Sequence, residues 1–183
     1  EARKNGIKDI KIFERMVSWG GNSALCGGLM CMPGTALQKK HGVKDSPEAM
    51  VADMFKAGRG FNHPVLAKTL AENAHFAYDM LIDCGVKFKD KVIRLGGHSA
   101  ARAHLPENAS GGGIVVPMHK KMREAGVKFE NRANVVEVIV GSSGAEGLRV
   151  QTGFDLASGS YRAEKRVRAT RGIIIATGGW GQD

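Results

Sequence analysis

The sequence predicts an α/β domain with a parallel central sheet. Helical and strand-like patterns alternate along most of the chain, and the closing run Ile173–Ile174–Ile175 is compact, β-branched and followed by small residues. With 43% hydrophobic residues among 183, the chain is long enough to bury one sizeable core. Residues 1–183 are therefore expected to form a single domain.

Residues 1–6 read as the tail of a helix stopped at Asn5–Gly6, and Ile7–Glu14 as a strand with an acid at its carboxyl end. The segment 15–35 is rich in Gly, Met and Cys, matches neither period and is expected to be irregular. Asp45 and Glu48 have capping-box spacing and Pro47 suits a first turn, so a helix is expected there with Met50, Met54 and Phe55 on one face. A second helix is expected from Asn62–His63–Pro64, with Leu66, Leu70, Ala74, Ala77, Met80 and Leu81 as its apolar stripe and Gly85 as its end.

Val86–Phe88 and Val92–Leu95 are expected as short strands, 96–110 as loop and Ile114–Ala125 as a helix closed by Gly126. Val127–Glu130, Val135–Val140, Gly147–Thr152 and the alternating Tyr161–Arg168 read as strands, with a turn at 141–144. The strand Ile173–Ile175 leads into Ala176–Thr177–Gly178–Gly179.

Lys plus Arg total 27 against 18 acidic residues, a net charge of +9, which favours anionic partners. The basic residues are dispersed, only 6% of the chain is aromatic, and no nucleic-acid-binding signature is present, so the charge is read as that of one region, which need not share its parent's balance, rather than as nucleic-acid binding; the expected partner is a small-molecule substrate, anionic in character. The longest apolar run, 173–176, is far too short to span a bilayer. Cys26, Cys31 and Cys84 form no paired framework and no zinc or haem motif.

Four motifs carry chemistry. Glu14 sits where the second strand of a dinucleotide-binding βαβ unit presents an acid to the adenosine ribose hydroxyls. Gly20–Gly21–Asn22–Ser23, continuing to Gly27–Gly28, lets backbone amides approach a pyrophosphate or a flat ring. Gly96–Gly97–His98–Ser99 is followed by Arg102 and His104; Arg102 reads equally as a carboxylate clamp or as a structural donor, and His98 as structural. Ala176–Thr177–Gly178 gives a strand end small enough to pass against a cofactor.

In this order and spacing the motifs resemble the FAD-binding domain of the fumarate reductase/succinate dehydrogenase flavoprotein superfamily. The resemblance is nearest to soluble flavocytochrome c-type fumarate reductases and ene-reductases such as urocanate reductase. It implies a Rossmann-like fold and FAD as cofactor, transferring a hydride to or from a carbon–carbon bond beside a carboxylate or carbonyl. Glu14 would hold the ribose, with Arg15 where the family often has Lys. Gly21, Asn22, Ser23, Gly27 and Gly28 would line the pyrophosphate and flavin, Val135 would offer its backbone to the adenine, and Ala176, Thr177 and Gly178 would close over the cofactor. No histidine lies between Gly21 and Gly28, which implies non-covalent FAD.

By the same resemblance the first phosphate loop precedes residue 1, and the capping domain with the catalytic acid follows residue 183. The domain is thus expected to be incomplete at both ends, and Arg102 and His104 are the candidate substrate-side residues. Loss of the first strand would leave an open sheet edge, so the isolated chain is expected to be unstable or to associate with itself unless another chain supplies that strand. The stretch Gly20–Leu25 through Met32–Gly34 also resembles 3-ketosteroid dehydrogenases. An alternative of another class is a truncated, cofactor-free fragment or interaction module.

Overall fold

The computed structural model describes residues 2–179, which fold as two compact units. One comprises the chain up to Asn22 and from Met122 onward, the other Ser23–Lys121. The first unit carries β1 (Lys11–Phe13) and β5 (Lys128–Glu130), paired in parallel with Phe13 opposite Glu130. Residues 7–10 approach β1 as extended chain, and Ile10 O accepts from Lys128 N–H at 2.9 Å. The expected helical tail before them is a tight turn in residues 2–6, closed by Gly6 at φ 83°.

The same unit holds an antiparallel sheet in the order β6 (Ala133–Gly141), β7 (Gly144–Thr152), β8 (Ala163–Arg168). A two-residue turn, Ser142–Ser143, joins the first two strands where the glycine cluster predicts it. Ala133, Gly147 and Val150 are its buried residues. The expected strand at 173–175 is not formed: those residues belong to no strand and have no backbone partner among the described residues, and Ile174 is 86% exposed. A strand exists only where a neighbour takes up its N–H and C=O groups, and this segment has none. Among the described residues β1–β5 is the parallel pair, and every other pairing is antiparallel.

The second unit contains β2 (Met30–Cys31), β3 (Phe88–Ile93) and β4 (Ala103–Pro106), antiparallel in the order β2-β4-β3. Its helices are α2 (Ala36–Lys40), α3 (Pro47–Ala57), α4 (Pro64–Asp83) and most of α5 (Gly112–Glu124); α1 (Gly21–Leu25) runs into it. The segment expected to be irregular therefore holds α1 and β2. The two strand pieces expected around 86–95 are one bulged strand, and β4 lies inside the expected loop. Its sequence, Ala–His–Leu–Pro, offers no alternation to read.

The two prolines begin α3 and α4 as expected, but the cap of α3 differs. Ser46 Oγ, not Asp45, accepts from Ala49 N–H, and His63 Nδ1 accepts from Leu66 N–H. The buried stripe of α4 is Ala67, Ala71, Ala74, Tyr78 and Leu81; Leu66 and Leu70 face outward, 66% and 57% exposed. The sequence stripe is rotated because small alanines, rather than leucines, allow α4 to pack closely against its neighbours. Tyr78 stacks on Phe88 at 5.5 Å, beside a core of Met32 and Ala74.

One buried cation ties this unit together. Arg102, just before β4 and 1% exposed, makes a two-point contact with Asp45 through Nε (3.0 Å) and Nη2 (2.9 Å). Its Nη1 lies 2.8 Å from Asp53 on α3, and Nη2 also donates to Ser99 Oγ. Gln38 on α2 donates to Asp45 and to Ala101 O, both at 2.8 Å. The Ser99 N–H, followed by the Ser99 hydroxyl and the Arg102 charge, holds the Asp53 carboxyl below the usual carboxylate range despite burial.

His104, wholly buried on β4, continues the network. Its Nδ1 faces two carbonyl oxygens, Arg102 O at 2.9 Å and Met30 O at 3.3 Å, and so carries the proton; Nε2 then accepts from Thr35 Oγ1 at 2.8 Å. Thr35 caps α2 in a reciprocal capping box with Gln38. Burial pushes the His104 imidazole below its ordinary value, against the smaller opposing effect of hydrogen bonds to the Arg102 and Met30 carbonyls.

Two outcomes follow for stability. Arg102→Ala leaves Asp45 buried and unpaired, so chemical denaturation should show a loss of about 3–5 kcal/mol. His104 stays neutral in the folded chain where the unfolded chain already takes a proton. Its contribution is complete above about pH 6.5 and falls away as pH drops through the lower folded value. Thermal melts should fall on acidification below that point, and His104→Gln should flatten this part of the profile.

Candidate functional site

In the first unit Glu14 follows β1 directly, at the carboxyl end of the parallel pair. Its N–H donates to Glu130 O and its own carbonyl accepts from Ala133 N–H, each at 2.9 Å. The backbone at Glu14 is thus held on both sides, between the end of β5 and the start of β6. The half-buried side chain turns back so that Oε1 accepts from Met16 N–H at 2.8 Å, which fixes the direction of the carboxylate. Beyond it, Arg132 N–H donates to Met16 O at 3.1 Å and Asn131 Nδ2 to Val17 O at 2.6 Å, while Trp19 packs edge-on to Phe129 at 4.8 Å. These contacts hold the bent segment that follows β1 alongside the β5–β6 connection.

Val135 lies on β6 two residues after Ala133, so the structure brings it to the same end of the unit as Glu14. Arg15 is exposed beside them. Gly20 and Gly21 take positive φ, 101° and 45°, to turn the chain into α1, where Gly21 and Asn22 are exposed and open space surrounds the place of a Gly21 Cβ. Ala176, Thr177 and Gly178 are exposed and lie outside any helix or strand, with Gly178 at φ 87°.

Ser23, Gly27 and Gly28 belong to the second unit, where Gly28 and the carbonyls of Ser23 and Cys26 meet the glycine-rich start of α5 while Gly27 is exposed. Gly111 N–H donates to Cys26 O at 2.7 Å, and a Cβ on Gly111 would collide with Ser23 O. Gly28, at φ 72°, is buried with its missing Cβ only 2.6 Å from Ser110 O. Close backbone packing, rather than open access, therefore requires glycine at position 28. The run Ser110–Gly113 is a feature the sequence reading missed; its three consecutive glycines were the available signal.

Arg102 and His104 do not fit the substrate-side role expected of them. Both side chains lie in the interior of the second unit, and their polar groups are taken up by Asp45, Asp53, Ser99, Thr35 and backbone carbonyls. Their chemistry here is structural. Among the described residues no cluster of His, Cys, Asp or Glu has the arrangement of a metal site, and no helix is long and apolar enough to cross a membrane.

The first unit's groups suit the adenosine end of a dinucleotide. A carboxylate fixed at a strand tip accepts hydrogen bonds from the paired hydroxyls of a ribose, and exposed main chain at Gly21–Asn22 offers N–H donors without side-chain obstruction. The residues present therefore fit the group that the sequence motifs imply.

A family model described as the FAD binding domain matches residues 1–183. The acrylate reductase flavoprotein subunit of Shewanella woodyi is 40% identical across all of this chain, which spans 36% of that relative's length. A flavocytochrome c3 fumarate reductase in its open conformation superposes with a TM-score of 0.74 at 30% identity, over 82% of this chain and 27% of that one. The 3-ketosteroid-Δ4-(5α)-dehydrogenase of Rhodococcus jostii RHA1 superposes with a TM-score of 0.81 at 27% identity, over 97% of this chain and 42% of that one. With its strand-tip acid, its mixed α/β fold and a match along its whole length, the chain belongs to the FAD binding domain family, within the group that includes the fumarate reductase flavoproteins.

Proposed function

We propose that this chain is part of the FAD-binding domain of an oxidoreductase that moves a hydride between flavin N5 and a carbon–carbon bond beside a carboxylate or carbonyl. The observation that carries this reading is the clamped Glu14 carboxylate at the end of β1. Bound FAD supplies the redox chemistry, and the residues of this chain bind and orient it.

In this reading Glu14 accepts from the adenosine ribose, with Arg15 beside it as a solvent-facing cation. Gly21, Asn22, Ser23 and Gly27 face the pyrophosphate and flavin, and Gly28 supports that loop by packing on Ser110. The Val135 backbone meets the adenine, and Ala176, Thr177 and Gly178 close over the cofactor. The absence of histidine from residues 21–28 favours a non-covalent complex. No catalytic acid is assigned within this chain.

Relatives named for acrylate and fumarate support a small unsaturated carboxylate as the substrate of the whole protein, and a net charge of +9 suits an anion. A second reading, oxidation of a ring ketone, draws on the high structural overlap with the ketosteroid dehydrogenase.

FAD binding is read by incubating the chain with FAD, removing free cofactor and recording the flavin absorption. The unaltered chain should retain a flavin band. Glu14→Ala, which loses a charge-assisted hydrogen bond, should bind about tenfold more weakly or worse. Equal flavin in the variant would remove Glu14 from the site, and a colourless unaltered chain would favour the cofactor-free alternative.

A further inference from the structure

Along β8, residues 163, 165 and 167 share one face, and Val167 and Lys165 are the more buried of its residues. A lysine in that register needs a partner, and it has one. Lys165 Nζ lies 2.7 and 2.9 Å from the two carboxylate oxygens of Glu130, at the end of β5. Lys11 of β1 binds the same carboxylate at Oε2. Both ammonium groups also stand over the Phe13 ring, at 5.0 Å for Lys11 and 6.0 Å for Lys165.

Glu130 therefore joins three strands through its side chain, while its main-chain carbonyl accepts from the N–H of Glu14. Phe13 and Glu130 are register partners, so this charged cluster occupies one face of the parallel pair immediately before Glu14. Burial pushes the Glu130 carboxyl up, but hydrogen bonds and charge from Lys11 and Lys165 outweigh it and hold the group below the usual range. The acid remains ionised, and the clamp closed, across ordinary pH.

We propose that Glu130, gripped by Lys11 and Lys165, is a positioning residue that sets the height at which Glu14 meets the adenosine ribose of FAD. The inference rests on the role given to Glu14 above. Without the clamp, β1 slides against β5 and the Glu14 carboxylate loses its fixed direction. A side chain that never meets the cofactor thereby affects how tightly it is held.

The test is calorimetric titration of the 183-residue chain with ADP, which carries the ribose and pyrophosphate but no flavin. Glu130→Gln keeps the side-chain shape and removes its charge. It should weaken ADP binding about fivefold, as expected for a coupling of about 1 kcal/mol. The Glu14→Gln/Glu130→Gln double variant should bind within about twofold of Glu14→Gln alone, because the second change acts through the first. Lys165→Gln gives the same answer should Glu130→Gln fail to fold, and Lys165→Arg should recover most of the affinity that Lys165→Gln loses. Unchanged ADP affinity in Glu130→Gln, or additive losses in the double variant, would overturn the positioning role. A Glu14→Gln chain that binds ADP normally, or an unaltered chain that binds none, would overturn the reading beneath it as well.

Discussion

The short parallel pairing of β1 with β5 is the constraint on which the candidate site depends. Three residues of regular strand are a small structure, yet their end is bonded on both sides, to Glu130 O and Ala133 N–H. Parallel pairing brings the carboxyl ends of two strands to the same edge, and that edge is where a dinucleotide's ribose is met in folds of this kind. The carboxylate of Glu14 is fixed further by its own turn to Met16 N–H. Order at this point therefore comes from hydrogen bonds and the Lys11–Glu130–Lys165 clamp rather than from a large apolar core. Few large residues of the first unit are fully buried, Val150 being the clearest.

The second unit solves a different problem. Its sheet strands are short and its helices come from scattered segments, and a guanidinium with two carboxylates joins them where a larger protein would use apolar bulk. Arg102 satisfies Asp45 with two parallel hydrogen bonds, a geometry lysine does not offer. Gln38, Thr35 and His104 extend the same network into α2 and β4. Such a network specifies one arrangement because its buried donors and acceptors are satisfied only when all of these elements are in place together. The Ser23–Gly28 loop is fixed separately, by backbone contacts with the start of α5 in which glycine is required by close approach.

Much of this was legible in the sequence, and the failures share a cause. Pro47 and Pro64 mark helix starts because a ring without an N–H costs nothing in a first turn, and both helices begin there. The hairpin after β6 follows from its turn residues, and Glu14 from its place after a β-rich run. Asp45 was misplaced as a cap because its real partner, Arg102, lies 57 residues away. β4 was missed because its central residue is a buried histidine, and the stripe of α4 because alanine carries little hydrophobic signal. The Thr35–Gln38 spacing was a readable capping box that marks α2. What the sequence could not supply were partners distant in the chain, and those decide whether Arg102 and His104 serve a substrate or the core.

Whether Glu14 meets the adenosine half of FAD is decided by a crystal structure of the chain with bound FAD. Both ribose hydroxyls should lie within hydrogen-bonding distance of the Glu14 carboxylate, roughly 2.5–3.0 Å, with the Glu14 backbone still bonded to Glu130 and Ala133. An adenosine bound elsewhere, with Glu14 facing only solvent, would contradict it.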